Sequence, residues 1–467
     1  MATDLKDLAR LSVEMAQEHG AKLVESRAES SESFTTIISE EGIKRVDFSE
    51  NRGLSIRFLM NDMWHFSSLD NPSKRQTQSQ VRDMVKAARR SRGSETLEVA
   101  ETRTIKDRVR VKSKRNIQNT SVDDICGIPL SLHKKLQSEN KTLETLKSYT
   151  ISVAASYGEE FFVNSEGSEI TMEAPFTVMT FSAVLQKNGR LAKTADAIGG
   201  TYGLEFYGER NSWKPFELAD SVLNRGKVAL KGRRPPKGEY SVVLDQSMTG
   251  TLIHEAFGHL CEADLVMAGG ILSTDMIETR IANDGVTIID DGIRENGAWV
   301  PYDDEGIKHE KTILVEDGVL RTFMVNREYA AKLGLDLTGN ARTSSYHAPP
   351  MIRMRNTYLE KGDFGFEELI ESIHQGIYVE KFMGGQASLI GMFQFAGQVG
   401  WLIEKGELTT PIRDIAISGS TLETLKTLDA IGKDFGTDIG ICGKGQQISV
   451  GSGGPPIRVP KLSIGGK

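Results

Sequence analysis

The sequence predicts an α+β protein of two domains. One is an N-terminal antiparallel sheet with helices. The other is a C-terminal β-rich domain that carries one chemically distinctive helix. Three observations predict this. The chain has 467 residues, too many for one simple core. Residues 33–68 and 148–185 each read as successive strands bounded by turn residues. Composition then breaks at Gly232-Arg233-Arg234-Pro235-Pro236-Lys237-Gly238, where two prolines cannot continue a helix. A boundary there gives an N-terminal domain over 1–231 and a C-terminal domain over 239–467.

The elements follow in order. Residues 4–19 form an amphipathic helix that stops at Gly20. A strand meander over 33–68 turns at Glu41-Gly42, Asn51-Arg52-Gly53 and Asn61-Asp62. A helix covers about 75–92. More strands fill 148–185, with turns at Gly158 and Glu166-Gly167, and a helix spans 215–230. EYSVVLD (239–245) is a buried strand leading into an apolar helical stretch. Beyond residue 285 the chain is glycine- and β-rich, with one helix near 365–374 and a tail of loops and short strands.

Composition excludes several function classes. The chain is 39% hydrophobic and 26% charged, which excludes disorder for most of its length. A net charge of −7 argues against a nucleic-acid or anionic-membrane partner. Twelve Lys/Arg against five Asp/Glu in residues 82–115 read as a solvated helix face and an exposed strand, since no aromatics interleave for base stacking. No apolar run approaches the roughly 20 residues of a membrane helix, and the N-terminal helix lacks the pattern of a signal peptide. Cys126, Cys261 and Cys442 are too few and too widely spaced for a disulfide framework, which points to a reducing cytoplasm.

Chemistry concentrates at His254-Glu255-Ala256-Phe257-Gly258-His259, an H-E-x-x-x-H inside the apolar helical stretch. Two neutral imidazoles can hold a divalent metal, and the adjacent carboxylate can take a proton from an attacking water. The spacing is one residue longer than the i, i+4 of the better-known motif. On a regular helix, positions i and i+5 lie roughly 140° apart, too far to share a metal. The helix must therefore widen into a π-bulge or end near Gly258, and glycine makes either distortion cheaper. A zinc site needs a third protein ligand. Cys261, Glu262, Asp264, His309 and Cys442 are the candidates. Glu262 lies two turns past His254 and shares its face. Cys442 sits in Gly440-Ile441-Cys442-Gly443-Lys444-Gly445, where glycines permit close approach and the lysine favours the thiolate. The residues alone prefer Cys442 to Glu262 by a modest margin.

Longer stretches carry a resemblance. They are GLSIRF (53–58), HEAFGHLCEAD (254–264), YDDEGIKHEKTILVEDGVL (302–320), GNARTSSYHAPPMIRMRNTYLEKGD (339–363), GIYVEKFMGGQASLIGMFQF (376–395) and CGKGQQ (442–447). In this order, and over nearly the whole chain, they resemble the TldD side of the TldD/PmbA family of metalloproteases, also called the modulator of DNA gyrase family. The resemblance implies that His254, His259 and Cys442 hold Zn2+ and that Glu255 is the catalytic acid/base. Glu262 and Asp264 fall on acidic positions of the family pattern and are read as orienting the ligand imidazoles. Leu260, Ala263 and Gln446 stand where glycines are expected.

The expected activity is hydrolysis of unfolded or extended peptides, with Glu255 moving the proton. Gly384-Gly385-Gln386 and the glycines of 451–454 are expected to line a cleft where a peptide adds to a strand edge. The expected assembly is a dimer, with a PmbA/TldE-like homologue or a second copy, in which the N-terminal domain walls off the site. Two alternatives remain: a zinc hydrolase of a non-peptide amide, and a non-catalytic scaffold subunit like the PmbA branch. The intact His254, Glu255, His259 and Cys442 argue against the scaffold.

Overall fold

The computed structural model describes residues 4–139, 145–208 and 214–465. Alternating side chains build the N-terminal half. Its strands are β1 (Leu23–Ser39), β2 (Gly42–Met60), β3 (Met63–Asp70), β4 (Lys106–Arg110), β5 (Leu146–Asn164), β6 (Glu169–Lys187) and β7 (Arg190–Gly200). They form one sheet in the order β3-β2-β1-β5-β6-β4, with β7 also paired to β6. All pairings are antiparallel except β4 with β6. On β5 and β6, Ile151, Val153, Met179 and Phe181 are buried on one face. Helices α1 (Leu5–Glu18), α2 (Lys74–Ala88), α3 (Val122–Glu139) and α4 (Lys214–Lys231) cover that face through two apolar clusters, one at each end of the long strands. The opposite face presents hydroxyls such as Thr150, Thr180 and Ser182, and looks towards the C-terminal half.

The expected meander has fewer and longer strands, three joined by two turns, because Asn51-Arg52-Gly53 continues β2 instead of turning. Gly53 is needed for packing: a Cβ there would overlap the Tyr346 ring. Gly158 likewise sits inside the continuous β5. The turns at Glu41-Gly42, Asn61-Asp62 and Glu166-Gly167 do form, the last two through left-handed residues. Helix α3 was not anticipated. The helix expected near 365–374 is only Phe366–Ile370, and the expected loop-rich tail forms strands at Gly436–Lys444, Gln446–Gly454 and Ile457–Gly465. The basic stretch 82–115 is the exposed side of α2 and the outer strand β4, as a solvated surface requires.

Two larger sheets and a two-stranded ribbon, Ala341–Arg342 with Met351–Ile352, build the C-terminal half. Strand β8 (Gly238–Leu244) pairs with Gln375–Ala387 and with Ile457–Gly465. The pairing continues through Ile415–Ser420 to Met392–Glu404, which pairs again with Gln375–Ala387 and closes a ring of five strands. The second sheet has six strands and ends in Asn356–Leu359, Gln446–Gly454 and, at its edge, Gly436–Lys444. Helix α5 (Gln246–Thr251) packs against these last two strands. A Cβ on Gly250 would stand 2.9 Å from the Gly453 nitrogen, so the two glycines let helix and sheet touch backbone to backbone.

Ion pairs centred on buried arginines join the halves. Arg57 donates to Glu305 at 2.9 Å and stacks on Trp64 at 3.7 Å. Arg327 forks onto Glu166 at 2.7 and 2.8 Å, and Arg27 pairs with Asp304. Such pairs hold register because breaking one strands a buried charge.

Candidate metal centre

The motif segment begins with a well-built cap. Asp245 follows β8 and accepts from the Met248 N–H at 2.8 Å and the Lys381 N–H at 2.9 Å. Burial pushes its carboxyl up to about 7 against those two bonds. After α5 the backbone widens. Residues Leu252–Phe257 form a π-helical turn, in which the Gly258 N–H reaches the carbonyls of both Ile253 and His254. A tight 3-10 turn, Gly258–Cys261, follows. Both distortions anticipated from the i, i+5 spacing are therefore present in succession. They bring the His254 and His259 rings to 5.4 Å between centroids, nearly perpendicular at 80°. Gly258 has ordinary helical φ, so its role is space: a Cβ there would overlap the Met354 sulfur.

The chain becomes extended at Glu262, held by Met324 N–H to the Cys261 carbonyl at 2.8 Å and Ala263 N–H to the Met324 carbonyl at 3.0 Å. This break aims the fully buried Glu262 carboxylate at His259 Nδ1, 2.8 Å away. Cys442 arrives from the edge strand Gly436–Lys444 with its Sγ 3.2 Å from His259 Nε2. Arg353, fully buried, donates to the carbonyls of Cys442 at 2.6 Å and Gln446 at 2.8 Å and fixes the hairpin.

His254, His259 and Cys442 thus offer one donor each, all within 4.8 Å of one another. Neither ring nitrogen of the buried His254 has a hydrogen-bond partner. A buried imidazole so placed is a polar group awaiting one. Burial, reinforced by His259, Arg353 and Arg342, holds it well below its usual titration range, in the neutral form a metal requires. Burial also lowers His259, but its bonds to Cys442 and Glu262 outweigh this and push it up to about 10. Two imidazoles, one of them held at Nδ1 by a carboxylate, and a thiol are a donor set suited to zinc.

The remaining candidates separate cleanly. Glu255 is partly exposed, with its Oε2 3.8 Å from His259 Nε2. Cys261 is buried, and burial beside Glu262 raises its thiol well above the usual value. His309 lies near Asp291 at 3.6 Å, outside the donor group. Asp264 does not touch an imidazole; it accepts from Lys444 Nζ at 2.9 Å, a correction to its expected role. Lys444 was expected to act on the thiol, but its donors go to Glu262, Asp264 and the Ile352 carbonyl. Arg353 was missed, because nothing in MIRMRN marks one arginine for a carbonyl 89 positions away.

A cleft of about 810 Å³ opens beside His254 and Glu255. One wall is the hydroxyl face of β5 and β6, including Ser148, Thr180 and Ser182; the other includes Asp438 and Ile441 of the edge strand. Ser452, Phe382 and Met383 reach it, but the glycines of 451–454 lie in an interior strand and serve close packing. Lys381 bridges the walls, 2.8 Å from Asp196 on β7 and 2.9 Å from Asp438.

Fold and site together define a metallopeptidase family. Family models described as PmbA/TldA metallopeptidase match the chain over 24–92 (domain 1), 115–230 (central domain) and 237–466 (C-terminal domain). The protein belongs to this TldD/PmbA family. A metalloprotease of Methanothermobacter thermautotrophicus is 34% identical, over 97% of this chain and 98% of that one. A zinc metalloprotease TldD homolog of Saccharolobus solfataricus is 32% identical, over 97% and 99%. The crystal structure of TldE from Thermococcus kodakarensis superposes with a TM-score of 0.78 at 16% identity, over 98% of this chain and 100% of that one, a likeness of fold.

Proposed function

We propose that the protein is a zinc-dependent peptidase acting on unfolded or extended peptides. His254, His259 and Cys442 hold the metal, and Glu255 is the general base. The observation that carries this is the convergence of three metal-binding donors with one cleft-facing carboxylate. Zinc in that donor set supplies a Lewis acid for the scissile carbonyl and acidifies a water. The chain's own residues do the rest. Glu255 accepts the proton of the attacking water and passes it to the leaving amine. Glu262 engages His259 Nδ1 and leaves Nε2 facing the site. The open edge of Gly436–Lys444 offers backbone groups to an extended substrate, which favours unfolded chains with little side-chain selectivity.

The N-terminal half, residues 1–231, caps the catalytic half, 239–467, and restricts entry. The likeness to TldE supports pairing with a TldE-like homologue or with a second copy. Three free cysteines support a reducing, cytoplasmic setting. No helix among the described residues is long and apolar enough to cross a membrane. The test is Glu255→Gln. It is expected to keep zinc and fold while peptide turnover falls by about 10²–10⁴. Near-normal turnover in a zinc-loaded Glu255→Gln protein removes Glu255 as the base.

A further inference from the structure

Cys442 and Lys444 stand two residues apart on one strand, so their side chains leave the same face. That face looks onto the motif segment, some 180 residues earlier in the chain. Where Cys442 Sγ meets His259, Lys444 Nζ meets the two acids beyond it. It lies 3.1 Å from Glu262 Oε2, 2.9 Å from Asp264 Oδ1 and 2.8 Å from the Ile352 carbonyl. Three bonds use all three ammonium hydrogens. The lysine side chain is only 14% exposed, and that of Glu262 is 0% exposed. The same Glu262 Oε2 binds His259 Nδ1 at 2.8 Å. Lysine, carboxylate and imidazole form one continuous chain ending at a metal-binding nitrogen.

We propose that Lys444 is a positioning residue for the metal site, a clamp that locks the Cys442 strand to the histidine segment. This rests on the metal-site reading above. A fully buried carboxylate needs a counter-charge. Lys444 supplies it and leaves Glu262 free to fix the ring orientation and tautomer of His259. Asp264 and the Ile352 carbonyl hold the ammonium in place, which sets how far Cys442 stands from His259. The clamp brings together ligands that are distant in sequence, and it explains a lysine two residues after the cysteine without any action on the thiol.

The test uses the full-length protein. Zinc release to an excess of chelator is timed, and the thiolate-to-metal charge-transfer band is recorded after cobalt substitution. Lys444→Met is expected to keep the circular dichroism and the thermal midpoint of the metal-free chain. It should release zinc about 10–100-fold faster and shift or weaken the band. Lys444→Arg should recover most of the loss. The double variant E262Q/K444M should release zinc no faster than the worse single variant, because both break one chain. Wild-type release and an unchanged band in Lys444→Met overturn the clamp while the metal site stands. A wild-type protein with neither stoichiometric zinc nor the band refutes the metal-site reading, and the clamp with it. Should Lys444→Met fail to fold, Asp264→Asn carries the test: it keeps the lysine and removes one anchor. Several-fold faster release is expected there, and release at the wild-type rate overturns the proposal.

Discussion

His254 and Glu255 are neighbours in sequence, yet their surroundings give them different chemistry. His254 is 3% exposed, neutral and without a hydrogen-bond partner, whereas the Glu255 side chain is 41% exposed to the cleft. One suits a metal, the other a moving proton. Two of the cysteines divide in the same way: Cys442 faces His259, while Cys261, two residues past the motif, packs among apolar side chains. Cys442→Ser is therefore expected to lose most of its zinc, and Cys261→Ser to keep it. Metal analysis of the purified variants checks this, and the reverse pattern would exchange the two roles. The histidines and Glu255 were legible because they share one short motif. Cys442 was only narrowly preferred on residues alone, because its partner lies 183 positions away and local pattern does not report such contacts. The role of Lys444 was misread for the same reason.

At the scale of elements, the i, i+5 spacing determined geometry. Regular helix cannot place both imidazoles together, and the chain widens at Leu252–Phe257 and then tightens at Gly258–Cys261. Gly258 is where the distorted segment meets the core. Gly258→Ala is expected to cost about 1–3 kcal/mol of stability through overlap with Met354. Combined with Met354→Ala, the two losses should add to less than their sum, because the second substitution removes the overlap. Denaturant unfolding measures both, and a neutral Gly258→Ala contradicts the packing argument. Strand and turn residues read well where the turn was local, as at Asn61-Asp62. They read badly where a glycine answered a distant side chain, as Gly53 answers Tyr346. Turn chemistry and close packing both select glycine, and sequence does not separate them.

At the scale of the molecule, the long stretches outside the metal motif acquire a physical reason. Arg57 of GLSIRF and Glu305 of YDDEG meet in a buried ion network between the halves, with Glu25, Glu166 and Arg327. The α+β class was legible from strand patterning, but this network was not, because each residue alone reads as a surface charge. Burial, opposed by Arg57 and reinforced by Glu305, pushes Glu25 up to about 7. Its folded value lies above the ordinary carboxylate value, so folding favours the protonated form. Its contribution to stability is full at low pH and is lost as pH rises through about 7. Glu25→Gln should therefore gain on the wild type in thermal midpoint from about pH 5 to about pH 8. A difference that does not change with pH contradicts this.

One zinc ion is expected to join segments from opposite ends of the C-terminal half. X-ray absorption at the zinc edge of the purified protein tests it most directly. One zinc per chain with two imidazole nitrogens and one sulfur is expected, the sulfur signal vanishing in Cys442→Ser. A metal shell without sulfur in the wild-type protein, or no stoichiometric zinc, would contradict it.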